Sequence, residues 1–187
     1  VLYSQKWPAL SQFPQETILF YDKKTLKHAS IQAWISRFKY KIALNAGESL
    51  KSLDSYNLVL NQVQKLVQTH ELGGSDLTFI ACGGGSVGDF VGFLASTYQR
   101  GKRLVFIPST WLAVIDSAHG GKNGLNLNGV KNQIGTFYNP EKIFICEDIL
   151  KRLPAAALND AFAEALKIGI INRPQNFIRL EKSISSL

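Results

Sequence analysis

The sequence predicts an α/β fold: a Rossmann-like, parallel-sheet nucleotide-binding domain followed by the start of a helical C-terminal domain. Three observations predict it. Short apolar runs rich in β-branched residues alternate with stretches of helical period, as when strands are covered on both faces by crossover helices. A glycine-rich segment, Gly83–Asp89, stands where one apolar run passes into a helical stretch, and open parallel sheets bind ligands at the carboxyl ends of their strands. Hydrophobic residues are 45% and charged residues 19% of the 187-residue chain, which supports a packed core and argues against disorder.

The elements follow in order. Thr17–Tyr21 (TILFY) reads as a strand, Leu26–Phe38 as a helix and Tyr40–Leu44 (YKIAL) as a second strand. Asn57–Leu72 places Leu58, Val59, Val63, Leu66 and Val67 at helical spacing. Leu77–Cys82 (LTFIAC) is a strand, and a helix is expected from Val87 to Tyr98. Leu104–Ile107 (LVFI) is a further strand, polar glycine-rich loops fill Ser117–Gly135, and Lys142–Cys146 (KIFIC) is the last strand. Ala155–Ile171 reads as a helix, and Asn176–Ile184 as the start of another. Pro154 and Pro174 bracket the helix of Glu164, so residues 1–152 are assigned to the α/β domain and 153–187 to the beginning of a helical one.

A net charge of +7 suits anionic partners. There is no run of five or six basic residues and no aromatic-plus-basic pattern, so neither nucleic acid nor membrane is an expected partner and functional charge is expected in a pocket. No apolar run approaches membrane-spanning length, and Val1–Phe20 lacks a secretory pattern. Cys82 and Cys146 each end an apolar run and are expected as buried thiols, which favours a cytoplasmic location. The chain has no Met, which is compatible with a trimmed N-terminus.

Gly83, Gly85 and Gly88 form G-x-G-x-x-G. Glycine allows the backbone to turn sharply and approach a pyrophosphate, and a helix N-terminus offers it free N–H groups. Taken alone, the motif is not specific, since a tight strand-to-helix turn also accounts for it. The usual dinucleotide fold also places a carboxylate about 20 residues on; Ile107–Thr110 has none, whereas Asp89 follows the loop at once. Lys122 in GGKNG and Lys131 in GVKN lie on glycine-flanked loops, suited to phosphate or carboxylate; each alone reads as well as a solvated turn lysine. Glu164 and Lys167 are i, i+3 on one helix, an oxygen ligand with its companion or an ordinary ion pair.

Five blocks in order, GGGSVGD, TYQRG, PSTWLAVIDSAHGGKNG, GVKNQIGTF and AFAEALKIG, resemble the 3-dehydroquinate synthases of the sugar-phosphate cyclase superfamily, from about Asp22 to Ile171. The resemblance implies NAD held by Gly84, Gly85, Ser86 and Asp89, by Glu48 and Lys51 of a Gly-Glu-x-x-Lys block, by Asp22 at a strand end, and by Ser109, Thr110 and Leu112. It implies that Asp116, Lys122, Lys131 and Asn132 line the substrate and nicotinamide pocket, with Asp116, Lys122 and Lys131 also touching the cofactor. It further implies Lys167 in the pocket, Arg100 reaching the substrate phosphate of a neighbouring subunit in a homodimer, and Glu164 as one ligand of a divalent metal, zinc or cobalt.

The implied reaction converts a small phosphorylated keto acid, 3-deoxy-arabino-heptulosonate 7-phosphate, to 3-dehydroquinate with loss of phosphate, in the shikimate route to aromatic compounds. A related cyclase, a metal-dependent polyol dehydrogenase and a non-catalytic NAD-binding module are the alternatives. Family members continue into a helical domain with two histidine metal ligands. The histidines here are His28, His70 and His119, none beyond Glu164, so the chain is expected to be inactive alone. Ser109, Trp111, Val114, His119 and Asn123 depart from the family pattern; His119 could face the pocket or be a solvated loop residue.

Overall fold

A computed structural model of the chain describes residues 1–172 apart from Ser75. The strands β1 (Leu2–Ser4), β2 (Thr17–Asp22), β3 (Tyr40–Leu44), β4 (Thr78–Gly83), β5 (Arg103–Pro108) and β8 (Lys142–Cys146) form one six-stranded sheet in the order β1-β8-β5-β4-β2-β3. Every pairing in it is parallel. Central strand β4 is buried along its whole length, which is why it reads as an unbroken apolar run rather than an alternation.

Alternate residues of each strand point to opposite faces. Phe20, Phe79 and Phe106 pack with Val59, Val63 and Val67 of α2 (Leu53–His70) and with Phe90, Val91 and Leu94 of α3 (Gly85–Thr97). Leu19, Ile80, Val105 and Ile107 pack on the other face with Ile31, Trp34 and Ile35 of α1 (Ala29–Ser36) and with Ile149 and Leu150 of α4 (Glu147–Leu150). From β2 the chain winds outward to β3, and from β4 it winds the other way through β5 to β8. The carboxyl ends of β2 and β4 therefore flank the point where the winding reverses, where a ligand crevice opens.

Three expectations change. The helix expected over Leu26–Phe38 is confined to α1, Ala29–Ser36, with a 3-10 turn, Lys23–Lys27, before it. Asp22 stops β2 there by accepting the Lys24 N–H on its carboxylate at 3.0 Å, a local bond that competes with extended structure. The segment expected as loops carries an antiparallel hairpin, β6 (Lys122–Leu127) and β7 (Val130–Phe137). Asn128 (φ 49°) and Gly129 (φ 80°) turn it, the left-handed pair that two-residue hairpins need. β1 was not expected; it is a short edge strand held by pairing with β8. Cys82 and Cys146 are buried free thiols, both pushed up first by burial. α5 (Ala155–Asn172) contains the predicted helix; the stretch Asn176–Ile184 lies outside the described residues.

Candidate active site

The crevice is built on the loop between β4 and α3. Gly84 is the N-cap of α3, and no side chain caps the helix, so its first N–H groups are open to an anion. Two of the glycines are sterically required. A Cβ on Gly88 would stand 2.6 Å from the Phe106 ring, and one on Gly83 would stand 2.5 Å from Val87 Cβ. Gly88 thus lets α3 lie close on the sheet, and Gly83 makes room for the first turn of α3. Ser109 N–H donates to the Gly83 carbonyl at 2.8 Å, and the Thr110 methyl faces Gly84, 3.2 Å from where a Cβ would be. Gly47 N–H donates to Ser86 Oγ at 3.1 Å, bringing the Gly47–Lys51 block onto the loop.

Lys51 is the centre of the polar network. Its side chain is 4% exposed, and its Nζ donates to Asp89 Oδ2 at 2.7 Å and to Asn132 Oδ1. Asp89 is pulled two ways: burial pushes its carboxyl above the usual range, and the Lys51 hydrogen bond pulls it back. Burial wins there, because a carboxylate leaving water loses more than one cation returns. Glu48, nearly half exposed, accepts from Asn126 Nδ2 at 2.8 Å, and this bond, more than the nearby Lys51 and Lys131, holds its carboxyl below the usual range.

Two adjoining cavities share Asp89, Asp116 and Ser117. The smaller, about 220 Å³, also has Glu48, Lys51, Gly85, Ser86, Thr110 and Leu112 on its walls. The larger, about 480 Å³, adds Lys122, Asn123, Asn132, Thr136 and Phe137. Ser117 Oγ is buried with no hydrogen-bond partner, and it stands 3.3 Å from where a Cβ on Gly85 would be. An orphaned hydroxyl beside an open helix N-terminus, next to a buried Lys–Asp pair, fits a ligand with phosphate and hydroxyl groups.

Most of the expected site residues therefore meet around these cavities. The others stand elsewhere. Asp22 is buried at the end of β2 and one of its oxygens is occupied by the Lys24 N–H. Lys131 is exposed on β7 and is on the walls of neither cavity. Arg100 (φ 67°) follows α3 at its far end, about 20 Å along the helix from the glycine loop at 1.5 Å per residue. Glu164 and Lys167 pair at 2.5 Å on α5, which packs against the π-helical turn Ala113–Ser117 that presents Asp116. Among the described residues no cluster of three or more His, Cys, Asp or Glu could hold a metal ion, so these residues do not form a metal centre by themselves. His119 is exposed and its Nε2 bonds the Val114 carbonyl at 2.9 Å, so the ring serves its own loop.

Asn123, Ser117 and Asn126 were not expected in the site. Asn123 Nδ2 donates to the carbonyls of Gly121 and Tyr138 at 2.9 Å each, and its side chain occupies the space a Cβ on Gly92 would need. The signal for it was Gly92, a glycine inside a helix.

The family described as 3-dehydroquinate synthase N-terminal matches residues 41–160. The chain is 43% identical over 136 residues to the 3-dehydroquinate synthase of Alkaliphilus oremlandii, covering 73% of this chain and 36% of that protein. To the 3-dehydroquinate synthase of Pyrococcus furiosus it is 36% identical over 168 residues, covering 88% of this chain and 48% of that one. The chain spans less than half the length of these curated relatives. Its fold is similar to that of a 2-epi-5-epi-valiolone synthase from Streptomyces hygroscopicus subsp. jinggangensis solved with NAD+ and Zn2+, with a TM-score of 0.72 at 27% identity over 86% of this chain and 45% of that one. A 2-deoxy-scyllo-inosose synthase complexed with carbaglucose-6-phosphate, NAD+ and Co2+ aligns with a TM-score of 0.70 at 25% identity, over 84% of this chain and 44% of that one.

Proposed function

The chain belongs to the 3-dehydroquinate synthase N-terminal family, and from that premise we propose that it is the nucleotide-binding part of an NAD- and metal-dependent cyclase of the dehydroquinate synthase type. The observation that carries the reading is the Lys51–Asp89 pair set beside the uncapped N-terminus of α3, with the unpartnered Ser117 hydroxyl against it. In this reading the α3 N–H groups and Ser86 hold the pyrophosphate, and Asp89 accepts from a ribose hydroxyl. Thr110 and Leu112 line the way to the nicotinamide, with Asp22 and Ser109 in supporting contact. Bound NAD supplies reversible hydride transfer.

The substrate in this reading is a phosphorylated keto acid, 3-deoxy-arabino-heptulosonate 7-phosphate, seated in the larger cavity. Lys122 places positive charge on the cavity wall where phosphate leaves, and Asn132 and Asp116 orient hydroxyls through hydrogen bonds. Lys131, exposed on the hairpin near Glu48, adds to the positive field at the mouth. Arg100, remote from its own cavity, is assigned to the phosphate of a second subunit of a homodimer. Glu164 gives a divalent metal, zinc or cobalt, one oxygen, and Lys167 neutralises that carboxylate when the metal is away. Residues 1–152 are taken as the NAD-binding domain and residues 153–187 as the beginning of the helical metal and substrate domain, in a cytoplasmic enzyme. The chain alone is expected to bind NAD and to release no phosphate from the keto-acid phosphate.

Hydrogen exchange with and without NAD+ tests the reading. Protection centred on the amides of Gly84–Asp89 and Gly47–Lys51 is expected; protection confined to other parts of the sheet, or none, would overturn it.

A further inference from the structure

The hairpin β6–β7 is tied to the Gly47–Lys51 segment by Asn126. Between Leu125, which pairs with Ile134, and Leu127, which pairs with Val130, the register slips, and Asn126 lies at the irregularity. Such bulges redirect a side chain away from the regular ladder. Here one residue of β6, Asn126, stands opposite three of β7, Lys131–Gln133, and its amide reaches both across the hairpin and out of it. Asn126 Nδ2 donates to Glu48 Oε1 at 2.8 Å, Asn126 N–H donates to the Lys51 carbonyl at 2.7 Å, and Asn126 Oδ1 accepts the Asn132 N–H at 2.9 Å. Asn132 (φ 55°) is thereby held in a left-handed conformation whose side chain accepts from Lys51 Nζ. Each of its three bonds ends on a residue with a polar group at the cavities, namely Glu48, Lys51 or Asn132.

We propose that Asn126 is a positioning residue for nucleotide binding: it fixes the Glu48 carboxylate and the Asn132 amide relative to the Lys51–Asp89 pair. The inference rests on the reading that NAD occupies the α3 N-terminus. The carboxamide suits the task because it donates to one partner and accepts from the other at once. An aspartate at 126 keeps the acceptor for Asn132 N–H but turns the donor toward Glu48 into a like charge, so one carboxyl of the pair shifts upward and takes a proton on acidification.

The test is the affinity of the chain for NAD+ by calorimetry over roughly pH 5 to 8, for wild type, Asn126→Asp and Asn126→Ala, with thermal unfolding of each recorded alongside. Both variants should bind about tenfold more weakly at the upper end of the range. The Asn126→Asp deficit relative to wild type should shrink as pH falls, because the shared proton restores the donor, while the Asn126→Ala deficit stays constant. A purely structural role would lower the unfolding temperature and leave the pH profiles parallel. The proposal is overturned if folded Asn126→Asp matches wild type throughout, or if its deficit is independent of pH. Should Asn126→Ala fail to unfold cooperatively, the Asn126→Asp profile alone decides. A wild-type chain that shows no NAD+ binding removes the underlying reading as well, a result distinct from equal binding by all three.

Discussion

Replacing Lys51 with methionine tests whether the buried ion pair organises the site. Lys51 is 4% exposed and Asp89 22%, with Nζ to Oδ2 at 2.7 Å. Removing the cation strands a mostly buried carboxylate and leaves the Asn132 oxygen without its donor. Breaking a buried pair from one side costs roughly 3–5 kcal/mol; the remaining exposure of Asp89 puts the loss near the lower end, at about 3 kcal/mol. At about 2–4 °C per kcal/mol for a chain of this size, the unfolding temperature should fall by about 6–12 °C. Asp89→Asn in the Lys51→Met background removes the stranded charge and should recover about 2 kcal/mol of that loss. Circular-dichroism melts of the four proteins give the double-mutant cycle. If the two changes add within about 0.5 kcal/mol, the pair is not coupled and the reasoning is wrong.

Other consequences are testable in the same chain. Because burial raises the Asp89 carboxyl, the folded state holds its proton to higher pH than the unfolded chain does; stability from this group is present below the ordinary aspartate range and declines as pH rises through the raised value. NAD affinity should run oppositely, weakening as pH falls through that value, and Asp89→Asn should flatten this dependence in titrations across pH. Gly88→Ala sets a methyl against the Phe106 ring at 2.6 Å and should cost about 1–3 kcal/mol by chemical denaturation; Phe106→Leu in the same chain should return part of it. Asp148 accepts from Trp7 Nε1, Ser30 Oγ and Arg152, and the Arg152 bond is the largest of the effects holding its carboxyl below the usual range. Its stabilisation is thus present above the ordinary aspartate range and lost as pH falls through the lowered value. Asp148→Ala should cost about 1–2 kcal/mol and shift tryptophan fluorescence to longer wavelength as Trp7 loses its anchor.

The strands β2, β4, β5 and β8 were legible because parallel strands buried on both faces read as continuous apolar runs. The hairpin was not, for a reason specific to its glycines. A Cβ on Gly124 would stand 2.8 Å from the Ile134 carbonyl, and one on Gly135 would stand 2.6 Å from the Asn123 carbonyl. These residues mark close approach of two backbones, yet in sequence they resemble loop punctuation. β7 is also largely exposed, so no apolar alternation announces it. β1 escaped notice because three residues at a sheet edge carry almost no local signal, and its partner β8 lies about 140 residues away.

In the site, Asp89, Lys51 and Asp116 were legible from the family blocks, and their convergence on shared cavities follows from the β4–α3 turn. Ser117 carries no sequence signal, because nothing local distinguishes a hydroxyl that will lose its partner on burial. Asn126 was invisible because its role exists only in the irregular register of a hairpin that was itself unread.

The central claim is that the uncapped start of α3 and the Asp89 carboxylate together hold an NAD molecule. Isothermal titration of the folded chain with NAD+ measures this directly. Saturable one-to-one binding that Asp89→Ala weakens by at least tenfold, with the unfolding temperature of the free variant recorded for comparison, is the predicted result. Absence of binding heat in a sample with a cooperative melt, or equal affinity for wild type and Asp89→Ala, contradicts it.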